Sequence, residues 1–244
     1  RAQATVTFVG LKRGMYTADG PDYCGPVEFD GLGIPSEAAA KFSSEAGVLL
    51  GSDFLSSVIH PRKRNSHKGS FGHVYAAGGV KGMSGAIRLC GEAALRSGAG
   101  KVTLATDPFH TALVNLERPE LMVKAITGDG DWISVLSENA VIALGPGLGS
   151  GSWSEQLFHD CMGSDARMVI DADGLNLLAR QAQAETKNHQ HLVLTPHPAE
   201  AARLLRCDVK DIQSDRVNAA KSIAKRYSAS VVLKGCGTVV AHHD

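Results

Sequence analysis

Short apolar runs that end in glycine-rich or turn-forming segments recur along the chain, and they constrain its fold more than any other feature. The runs are rich in Val, Ile, Leu and Ala, and several of the segments lead into a helical pattern. Helix N-termini and free backbone N–H groups meet at the carboxyl edge of a parallel sheet, where they bind phosphate-bearing ligands. The pattern therefore predicts a nucleotide site at such an edge. The segments are Gly78–Gly79, Gly98–Gly100, Gly145–Gly149, Asp171–Gly174, Thr195–Pro198 and Lys234–Thr238.

The composition restricts the classes of protein to which the chain can belong. Its 244 residues suit one large α/β domain, or one domain with part of another. Lys and Arg together number 25, as do Asp and Glu, and 5% of residues are aromatic, so neither nucleic acid nor a membrane surface is indicated. The five cysteines contain no C-x-x-C pair, which indicates buried free thiols in a reducing cytosol. We expect a cytoplasmic protein, and a chain that begins with Arg1 predicts a piece of a longer one.

The first part of the chain differs in pattern from the rest. Residues 5–9 and 27–29 are β-branched and aromatic, which predicts two short strands separated by a loop. Between residues 36 and 51 the composition turns to Ala, Glu and Ser, which predicts a helix or a linker. A domain boundary is therefore expected between Pro35 and Asp53.

From residue 73 onward, predicted strands alternate with predicted helices, which indicates parallel βαβ units with right-handed crossovers. The clearest helix is residues 85–96, where Gly98 is the expected stop and one apolar stripe is formed by Ala86, Leu89, Cys90, Ala93 and Ala94. The predicted strands are 73–77, 101–106, 140–144, 168–170, 192–194 and 231–233, and the other predicted helices are 153–162, 175–180, 200–205 and 216–226.

Three glycines in Gly145-Pro-Gly-Leu-Gly149 follow one of these strands. Glycine lets the backbone pass close to a ligand, with N–H groups free to bind an anion. The alternative is a tight strand-to-helix turn without a ligand, and we favour the ligand because three glycines exceed what a turn needs. The spacing fits neither the Walker pattern nor G-x-G-x-x-G, since Ser150 or Ser152 stands where the last glycine should be.

Two carboxylates, Asp171 and Asp173, follow the next predicted strand. Carboxylates in this arrangement could hold Mg²⁺ through water beside phosphates. Asp173 stands just before Leu175, however, so capping of the following helix explains it equally well. Both interpretations stay open at this point.

A histidine lies between two prolines in Thr195-Pro-His-Pro198. Proline restricts its own backbone and that of the residue before it, so His197 is expected to be held in place. Its imidazole could donate to a ligand or transfer a proton. The alternative is a histidine in a rigid loop without a role.

Two lysine-glycine segments are less specific. Lys234 begins Lys-Gly-Cys-Gly-Thr238 after a strand of buried type, where it suits a phosphate or an adenine nucleotide, although a glycine hairpin with an exposed lysine is the alternative. Lys68, in His67-Lys-Gly-Ser-Phe-Gly72, could close over a ligand, and a solvated loop is the default interpretation.

Taken together, these segments resemble the ADP-dependent NAD(P)H-hydrate dehydratase family, which has a ribokinase-like fold. The resemblance runs from about His67 to Ala241 in the family's order. Residues 5–35 resemble the closing segment of the NAD(P)H-hydrate epimerase domain that precedes the dehydratase in bifunctional bacterial enzymes. The matching stretches are HKGSFGHVYAAGGVKGMSGAIRLCGEAALRSGAGKVTLAT, ALGPGLGSG, VIDADGLNLLA, LTPHPAEAARLL and VVLKGCGTVVA.

The resemblance implies an α/β, ribokinase-like sandwich with a mainly parallel central sheet, preceded by the C-terminal tail of a Rossmann-like epimerase domain. Residues 1–45 would be that tail with a linker, and residues 46–244 a dehydratase domain truncated at its C-terminus. The family repairs NADH or NADPH that has taken up water on its ring. ADP phosphorylates the ring hydroxyl, phosphate is eliminated, and AMP and NAD(P)H leave. The parent protein would also epimerise the R and S hydrates.

The implied cofactors are ADP as phosphoryl donor and Mg²⁺, with K⁺ in the epimerase domain of the parent, and a homo-oligomer is expected. Asp171 and Asp173 fit a metal-facing strand end. The expected catalytic aspartate would lie beyond Asp244, so we expect this chain to lack a complete active site. By motif, the contacts to the hydrated dinucleotide would be Ala86, Gly147, Gly149 and His197, and those to the adenine nucleotide Lys234, Gly235, Cys236, Gly237 and Thr238.

Two alternatives to the dehydratase remain. One is a vitamin or sugar kinase with the same ribokinase-like fold, which would release a stable phosphorylated small molecule. The other is a nucleotide-binding piece without activity. The family usually has glycine where Ala199 stands and alanine where Gly174 stands, and both are small changes. No residue decides between ADP and ATP, or between hydrated NADH and hydrated NADPH.

Overall fold

The computed structural model describes residues 1–35, 37–38, 41, 47–128, 131–181 and 191–243. They form two compact units, one of Arg1–Ser66 with Gly235–Thr238 and one of His67–Lys234 with Val239–Asp244. Half of the predicted helix or linker at residues 36–51 lies outside the described residues. The assignment of residues 1–45 and 46–244 to two domains therefore stays a prediction.

The smaller unit contains a two-stranded parallel sheet. Strand β1 (Thr5–Phe8) pairs in register with β2 (Val27–Asp30), which confirms both predicted strands. Helix α1 (Gly20–Cys24) occupies part of the predicted loop between them, and Pro21 in its first turn favours a helical start. Helix α2 (Ser52–Val58) follows in the same unit.

An eight-stranded sheet forms the centre of the larger unit. Its strand order is β10-β9-β8-β7-β6-β3-β4-β5, and neighbouring strands are parallel except for β10, which is antiparallel to β9. The mainly parallel sheet was predicted correctly. The strands are β3 (His73–Ala77), β4 (Lys101–Thr106), β5 (Met122–Ala125), β6 (Ala140–Leu144), β7 (Arg167–Ile170), β8 (Leu192–Leu194), β9 (Ser230–Leu233) and β10 (Val239–Ala241).

Helices pack on both faces of this sheet. Successive residues of a strand point to opposite faces, so Ala76 and Ala77 belong to different cores. Ala77 lies in the larger core with the side chains of α4 to α8, and Ala76 lies with those of α3. The helices are α3 (Ser84–Arg96), α4 (Ser152–Met162), α5 (Ala172–Arg180), α6 (Pro198–Leu205), α7 (Val209–Ser214) and α8 (Arg216–Tyr227).

Helix α3 buries only part of the predicted stripe, since Cys90 and Ala94 pack against the core while Ala86 and Ala93 are exposed. Its fully buried residues are Ile87 and Gly91, whereas Leu89 is 70% exposed. A Cβ on Gly91 would lie 2.5 Å from a methyl carbon of Leu104, so the missing side chain lets the helix approach the sheet closely. That close approach determines which face is buried. The predicted stop at Gly98 is confirmed by its φ of 103°.

Some elements were not predicted from the sequence. Strand β5 lies at the edge of the sheet and carries Lys124, and α7 has only six residues. Helix α3, with 13 residues, is the longest of those described, and within the described ranges no helix combines the length and the apolar character that a membrane crossing requires.

Candidate functional site

The carboxyl edge of the sheet has a topological switch point between β3 and β6. These strands are neighbours, but the chain proceeds from β3 towards β4 and β5 and from β6 towards β7 and β8 on the other side. Segments that leave neighbouring strands in opposite directions open a crevice, in which α/β proteins bind ligands. The glycine segments after β3 and after β6 both lie at this point, as the sequence predicted.

The two glycine segments are joined by backbone hydrogen bonds. The N–H of Gly79 donates to the carbonyl of Pro146 at 3.1 Å, and the N–H of Val80 donates to the carbonyl of Gly147 at 2.8 Å. His110 and Thr106 support the segment after β3, since the hydroxyl of Thr106 donates to Gly79 O and His110 Nε2 lies 3.1 Å from Val80 O. The rim of the crevice is therefore built mainly from backbone.

Close packing explains why glycine is required in the Gly145–Gly149 turn. A Cβ on Gly145, at φ 122°, would overlap the carbonyl oxygen of Asp171, and one on Gly147, at φ 60°, would lie 2.7 Å from Met83 O. These positions need glycine whether or not a ligand is bound. The number of glycines is therefore accounted for by packing, and the case for a ligand depends on the position of the turn and on its polar neighbours.

Asp173 contacts this turn. Its Oδ2 accepts the N–H of Gly149 at 2.9 Å, and its Oδ1 lies 3.4 Å from Nδ2 of Asn176. Helix α5 begins at Ala172, three residues before the predicted start, so Asp173 lies within its first turn and Asp171 is the N-cap residue. The proposed capping of the helix by Asp173 is thus wrong, because its carboxylate serves the glycine turn.

Asp171 has a different partner. Its Oδ1 accepts a hydrogen bond from Nζ of Lys234 at 2.6 Å, and the two side chains are 38% and 40% exposed. Ala172, between the two aspartates, has a φ of 49°, which is strained for a residue with a Cβ. The two neighbouring carboxylates thus have separate partners, Lys234 for Asp171 and the Gly149 N–H for Asp173. Among the described residues, no group of three or more His, Cys, Asp or Glu side chains is arranged to hold a metal.

The backbone of Lys234 is fixed by its neighbours. Its N–H donates to Pro196 O at 2.8 Å. Arg216, 3% exposed, donates from one terminal nitrogen to the carbonyls of Leu233 and Lys234 at 3.1 and 3.0 Å, and from the other to Gln213 Oε1. Sequence analysis missed Arg216 because an arginine at the start of a helix gives no sign of burial.

His197 is held as predicted. It is the N-cap residue of α6, where its Nδ1 accepts the N–H of Ala199 at 3.1 Å and its own N–H donates to Glu200 Oε2 at 2.8 Å. An Nδ1 that accepts places the proton of a neutral imidazole on Nε2, which lies 3.3 Å from Glu200 Oε1. Glu200, which is buried, therefore holds the half-exposed His197 in place; it was missed as a functional residue.

The structure brings together several of the residues predicted to bind the hydrated dinucleotide. Ala86 is exposed in the first turn of α3, and its Cβ lies 3.0 Å from where a Cβ of Gly147 would be. Gly149 ends the same turn. His197 follows β8, two strands away from β6 in the sheet. These positions all lie at the carboxyl edge, and their contact with a ligand stays a prediction.

The predicted adenine-nucleotide loop is a hairpin between β9 and β10, which confirms the hairpin alternative for its shape. Gly235, Cys236, Gly237 and Thr238 are grouped with the smaller unit, where the N–H of Ala18 donates to Cys236 O at 3.1 Å. The shape of the loop neither requires nor rules out a nucleotide.

The segment around Lys68 lies at the opposite edge. It forms a short 3₁₀ helix (Lys68–Phe71), and the N–H of Lys101, the first residue of β4, donates to Gly72 O at 3.2 Å. The amino ends of parallel strands are remote from the crevice. The interpretation of Lys68 as a residue that closes over the ligand is therefore wrong.

Burial limits the reactivity of one cysteine of the larger unit. Burial, with a smaller contribution from the negative charge of Asp171, raises the pKa of the Cys90 thiol to about 11. The thiolate is the nucleophilic form, so Cys90 stays protonated and unreactive at neutral pH. The expected free thiols are present, but the expectation that they are buried is wrong for Cys207 and Cys236, which are exposed.

Comparison with known proteins connects these residues to one family. The family model described as NAD(P)H-hydrate dehydratase matches residues 74–244. A bifunctional NAD(P)H-hydrate repair enzyme of Coxiella burnetii is 40% identical over 98% of this chain and 48% of its own length. An ADP-dependent (S)-NAD(P)H-hydrate dehydratase of Neisseria meningitidis is 39% identical over 77% of this chain and 64% of its own length. The chain thus spans about half the length of the bifunctional relatives it matches.

Solved structures agree with this result. An ADP/ATP-dependent NAD(P)H-hydrate dehydratase from Bacillus subtilis, co-crystallised with ATP and Mg²⁺, has a TM-score of 0.67 and 29% identity, covering 78% of this chain and 67% of that one. A ribokinase-like superfamily protein from Enterococcus faecalis has a TM-score of 0.69 and 26% identity, covering 80% and 68%. The ribokinase-like α/β fold expected from the sequence is therefore confirmed.

Proposed function

This chain belongs to the NAD(P)H-hydrate dehydratase family, and we propose that its carboxyl-edge site takes part in the ADP-dependent dehydration of hydrated NADH or NADPH. The observation that carries the proposal is the family match over residues 74–244, which include the glycine turn, His197 and Lys234. The match also supports the class of enzyme, a lyase that repairs a nicotinamide nucleotide.

In the proposed reaction the phosphoryl group of ADP passes to the ring hydroxyl of the hydrate. The C–O bond then breaks, phosphate leaves with the bonding electrons, and loss of a proton from the ring restores the double bond. Hydrate and ADP are thereby converted to NAD(P)H, AMP and phosphate. Such a transfer needs positive charge around the phosphoryl oxygens and fixed donors around the substrate.

Lys234 supports the binding of the adenine nucleotide. Its backbone is fixed by Pro196 and Arg216, while its half-exposed ammonium group is available at the edge. A lysine ammonium binds phosphate as a point charge. We assign Gly235, Cys236, Gly237 and Thr238 to the same nucleotide by motif.

Gly147, Gly149, Ala86 and His197 are assigned to the hydrated dinucleotide. The exposed first turn of α3 and the backbone rim beside it carry small residues at these positions, which suits close approach of the hydrated ring. The half-exposed imidazole of His197, held in place by Glu200, is assigned to a contact with the carboxamide or hydroxyl group of the hydrate.

The carboxylates partly fit Mg²⁺. Asp171 is a half-exposed oxygen ligand beside the proposed phosphates, whereas Asp173 already accepts the N–H of Gly149. Mg²⁺ is commonly bound by one or two carboxylates together with substrate phosphates, so Asp171 is the residue that would hold it. When bound, the ion would neutralise charge on the phosphates.

The smaller unit supports a further proposal for the parent protein. Curated relatives that match 98% of this chain are named bifunctional repair enzymes. We assign residues 5–35 to the end of an epimerase domain, which would use K⁺ and interconvert the R and S hydrates. We also propose a cytoplasmic homo-oligomer, which size-exclusion chromatography with light scattering would test.

The test of the proposed function is product analysis with the protein expressed from its complete reading frame. Hydrated NADH and ADP should yield NADH, AMP and phosphate in equal amounts, and omission of ADP should abolish the reaction. A kinase of the ribokinase-like superfamily would instead accumulate a stable phosphorylated compound. A protein that binds AMP but converts no hydrate would indicate a nucleotide-binding role alone.

A further inference from the structure

The peptide unit between Leu148 and Gly149 is held by side chains from two different helices. Its carbonyl oxygen accepts the hydroxyl of Ser154, on α4, at 2.6 Å. Its N–H donates to Asp173 Oδ2, on α5, at 2.9 Å. A peptide unit held at both ends cannot rotate without breaking one of these bonds.

We propose that Asp173 is a positioning residue, which fixes the Gly149 end of the glycine turn in the orientation that receives the hydrated dinucleotide. This inference rests on the function proposed above, because Gly149 is there assigned to the substrate. Asp173 acts through Gly149 and needs no contact with the substrate itself.

Burial makes the Ser154 bond a strong constraint. Ser154 is 0% exposed, and Leu148 is also fully buried. A buried hydroxyl and a buried carbonyl that lose each other remain unsatisfied, which destabilises the folded protein. The Leu148 side of the peptide is therefore fixed by the core, and Asp173 controls the partly exposed Gly149 side.

Asp173 is itself held from the next helix. Nδ2 of Asn176 lies 3.4 Å from its Oδ1, and Arg203 donates to Oδ1 of Asn176 at 3.0 Å. Arg203 lies on α6, the helix that begins at His197. The series of side chains Arg203–Asn176–Asp173 thus connects α6, which His197 caps, to the turn that carries Gly149. Both His197 and Gly149 are proposed substrate contacts.

The chemistry of this role differs from that of a metal ligand. An acceptor for a backbone N–H needs an oxygen atom, which asparagine also supplies, whereas Mg²⁺ prefers a charged carboxylate. Asp173→Asn and Asp173→Ala therefore separate the two roles. The first keeps the oxygen and loses the charge, and the second loses both.

The kinetic test uses these two variants of the protein expressed from its complete reading frame. Asp173→Ala should raise KM for hydrated NADH about 10-fold, which corresponds to about 1.4 kcal/mol, while KM for ADP stays within about 2-fold. Asp173→Asn should restore KM for hydrated NADH to within about 3-fold of the parent. An Asn variant as impaired as the Ala variant, or one that needs more Mg²⁺, would overturn the proposal.

A second measurement does not depend on activity. Hydrogen exchange of the Gly149 amide, followed by mass spectrometry with fragmentation, should be faster in Asp173→Ala and close to the parent rate in Asp173→Asn. If the parent protein converts no hydrate and exchange follows this pattern, the proposed function fails and the control of the turn by Asp173 stands. If hydrate is converted and exchange or KM is unchanged in Asp173→Ala, the positioning role fails alone.

Ser154→Ala covers the case in which Asp173→Ala does not fold. This variant releases the other end of the same peptide, so it should raise KM for hydrated NADH and leave KM for ADP nearly unchanged. An unchanged KM for the hydrate in a folded Ser154→Ala protein would contradict the proposal.

Discussion

The glycine turn at residues 145–149 and the strand end at Lys234 lie at the same edge of the sheet, but they are held by different forces. The turn is fixed by backbone hydrogen bonds and by contacts too close for any side chain. The ammonium group of Lys234 is held by one ion pair between half-exposed side chains. Exposed ion pairs contribute little, so this group can move from Asp171 to a phosphate at small cost. One part of the site has a permanent shape, and the other can exchange partners.

Substitution in the turn should have the largest effect on stability. Gly145→Ala places a Cβ against the Asp171 carbonyl at a φ of 122°, and we expect it to lower the free energy of unfolding by at least about 3 kcal/mol. Thermal unfolding should then occur roughly 6–12 °C lower. Calorimetry or circular dichroism would measure the shift.

Gly85→Ala is the matched control, since a Cβ there meets nothing within 4 Å and the residue is helical. It should change stability by less than about 1 kcal/mol. Equal effects of the two substitutions would contradict a turn of permanent shape.

Substitution of Lys234 should change nucleotide use far more than stability. Lys234→Ala should raise KM for ADP at least about 10-fold, because a phosphate loses its nearest cation. The free energy of unfolding should fall by less than about 1 kcal/mol, since both partners of the ion pair are half-exposed.

Steady-state kinetics and urea unfolding would measure the two effects, with Lys210→Ala, on the exposed surface of α7, as the control. A Lys234→Ala protein with an unchanged KM for ADP but a large loss of stability would contradict this view, because Lys234 would then stabilise the fold and not bind the nucleotide.

His197 combines a helix cap with a proposed substrate contact, and two substitutions separate them. His197→Asn keeps an acceptor for the Ala199 N–H and removes the imidazole, so kcat/KM for hydrated NADH should fall about 10-fold with little change in stability. His197→Ala should lose the same activity and also about 1 kcal/mol of stability. AMP binding should persist in both. An Asn variant with parental kinetics would remove His197 from the site.

Acid should weakly destabilise the sheet through one histidine. Burial, and to a smaller extent the charge of Lys101, lower the pKa of His73 at the opposite end of β3. The unfolded chain, with a His pKa near 6.5, then binds the proton more readily, so stability falls as the pH drops below that value.

The free energy of unfolding can be measured at about pH 7.5 and at about pH 5.5 for both proteins. Its decrease between these two pH values should be smaller in His73→Gln than in the parent, by up to about 1 kcal/mol. If acid lowered the free energy of unfolding more in the variant than in the parent, the expected direction of the His73 effect would be wrong.

Local patterns were sufficient to predict the sheet and the position of the crevice. Short apolar runs followed by glycine or proline located six of the eight strands of the large sheet in order, because a parallel sheet requires these turns at its carboxyl edge. Edge strand β5 was missed because Lys124 interrupts its apolar pattern. The buried face of α3 was predicted only in part, because Gly91, without a side chain, gives no hydrophobic signal although it permits the closest packing.

The site was only partly predictable for a related reason. Gly149, His197 and Lys234 stand in recognisable segments, so sequence alone indicated them. The partners of these residues come from remote positions: Arg216 is 18 residues from Lys234, and Asp173 is 24 residues from Gly149. Their roles depend on the distance between elements in the folded chain, which no local pattern encodes.

The most direct test of the account is a crystal structure of the protein with AMP and hydrated NADH bound. The account predicts a phosphate oxygen of AMP about 3 Å from Nζ of Lys234, and the nicotinamide end of the hydrate against Gly149 and His197. A structure with the two ligands exchanged, or with both bound away from the carboxyl edge of the sheet, would contradict it.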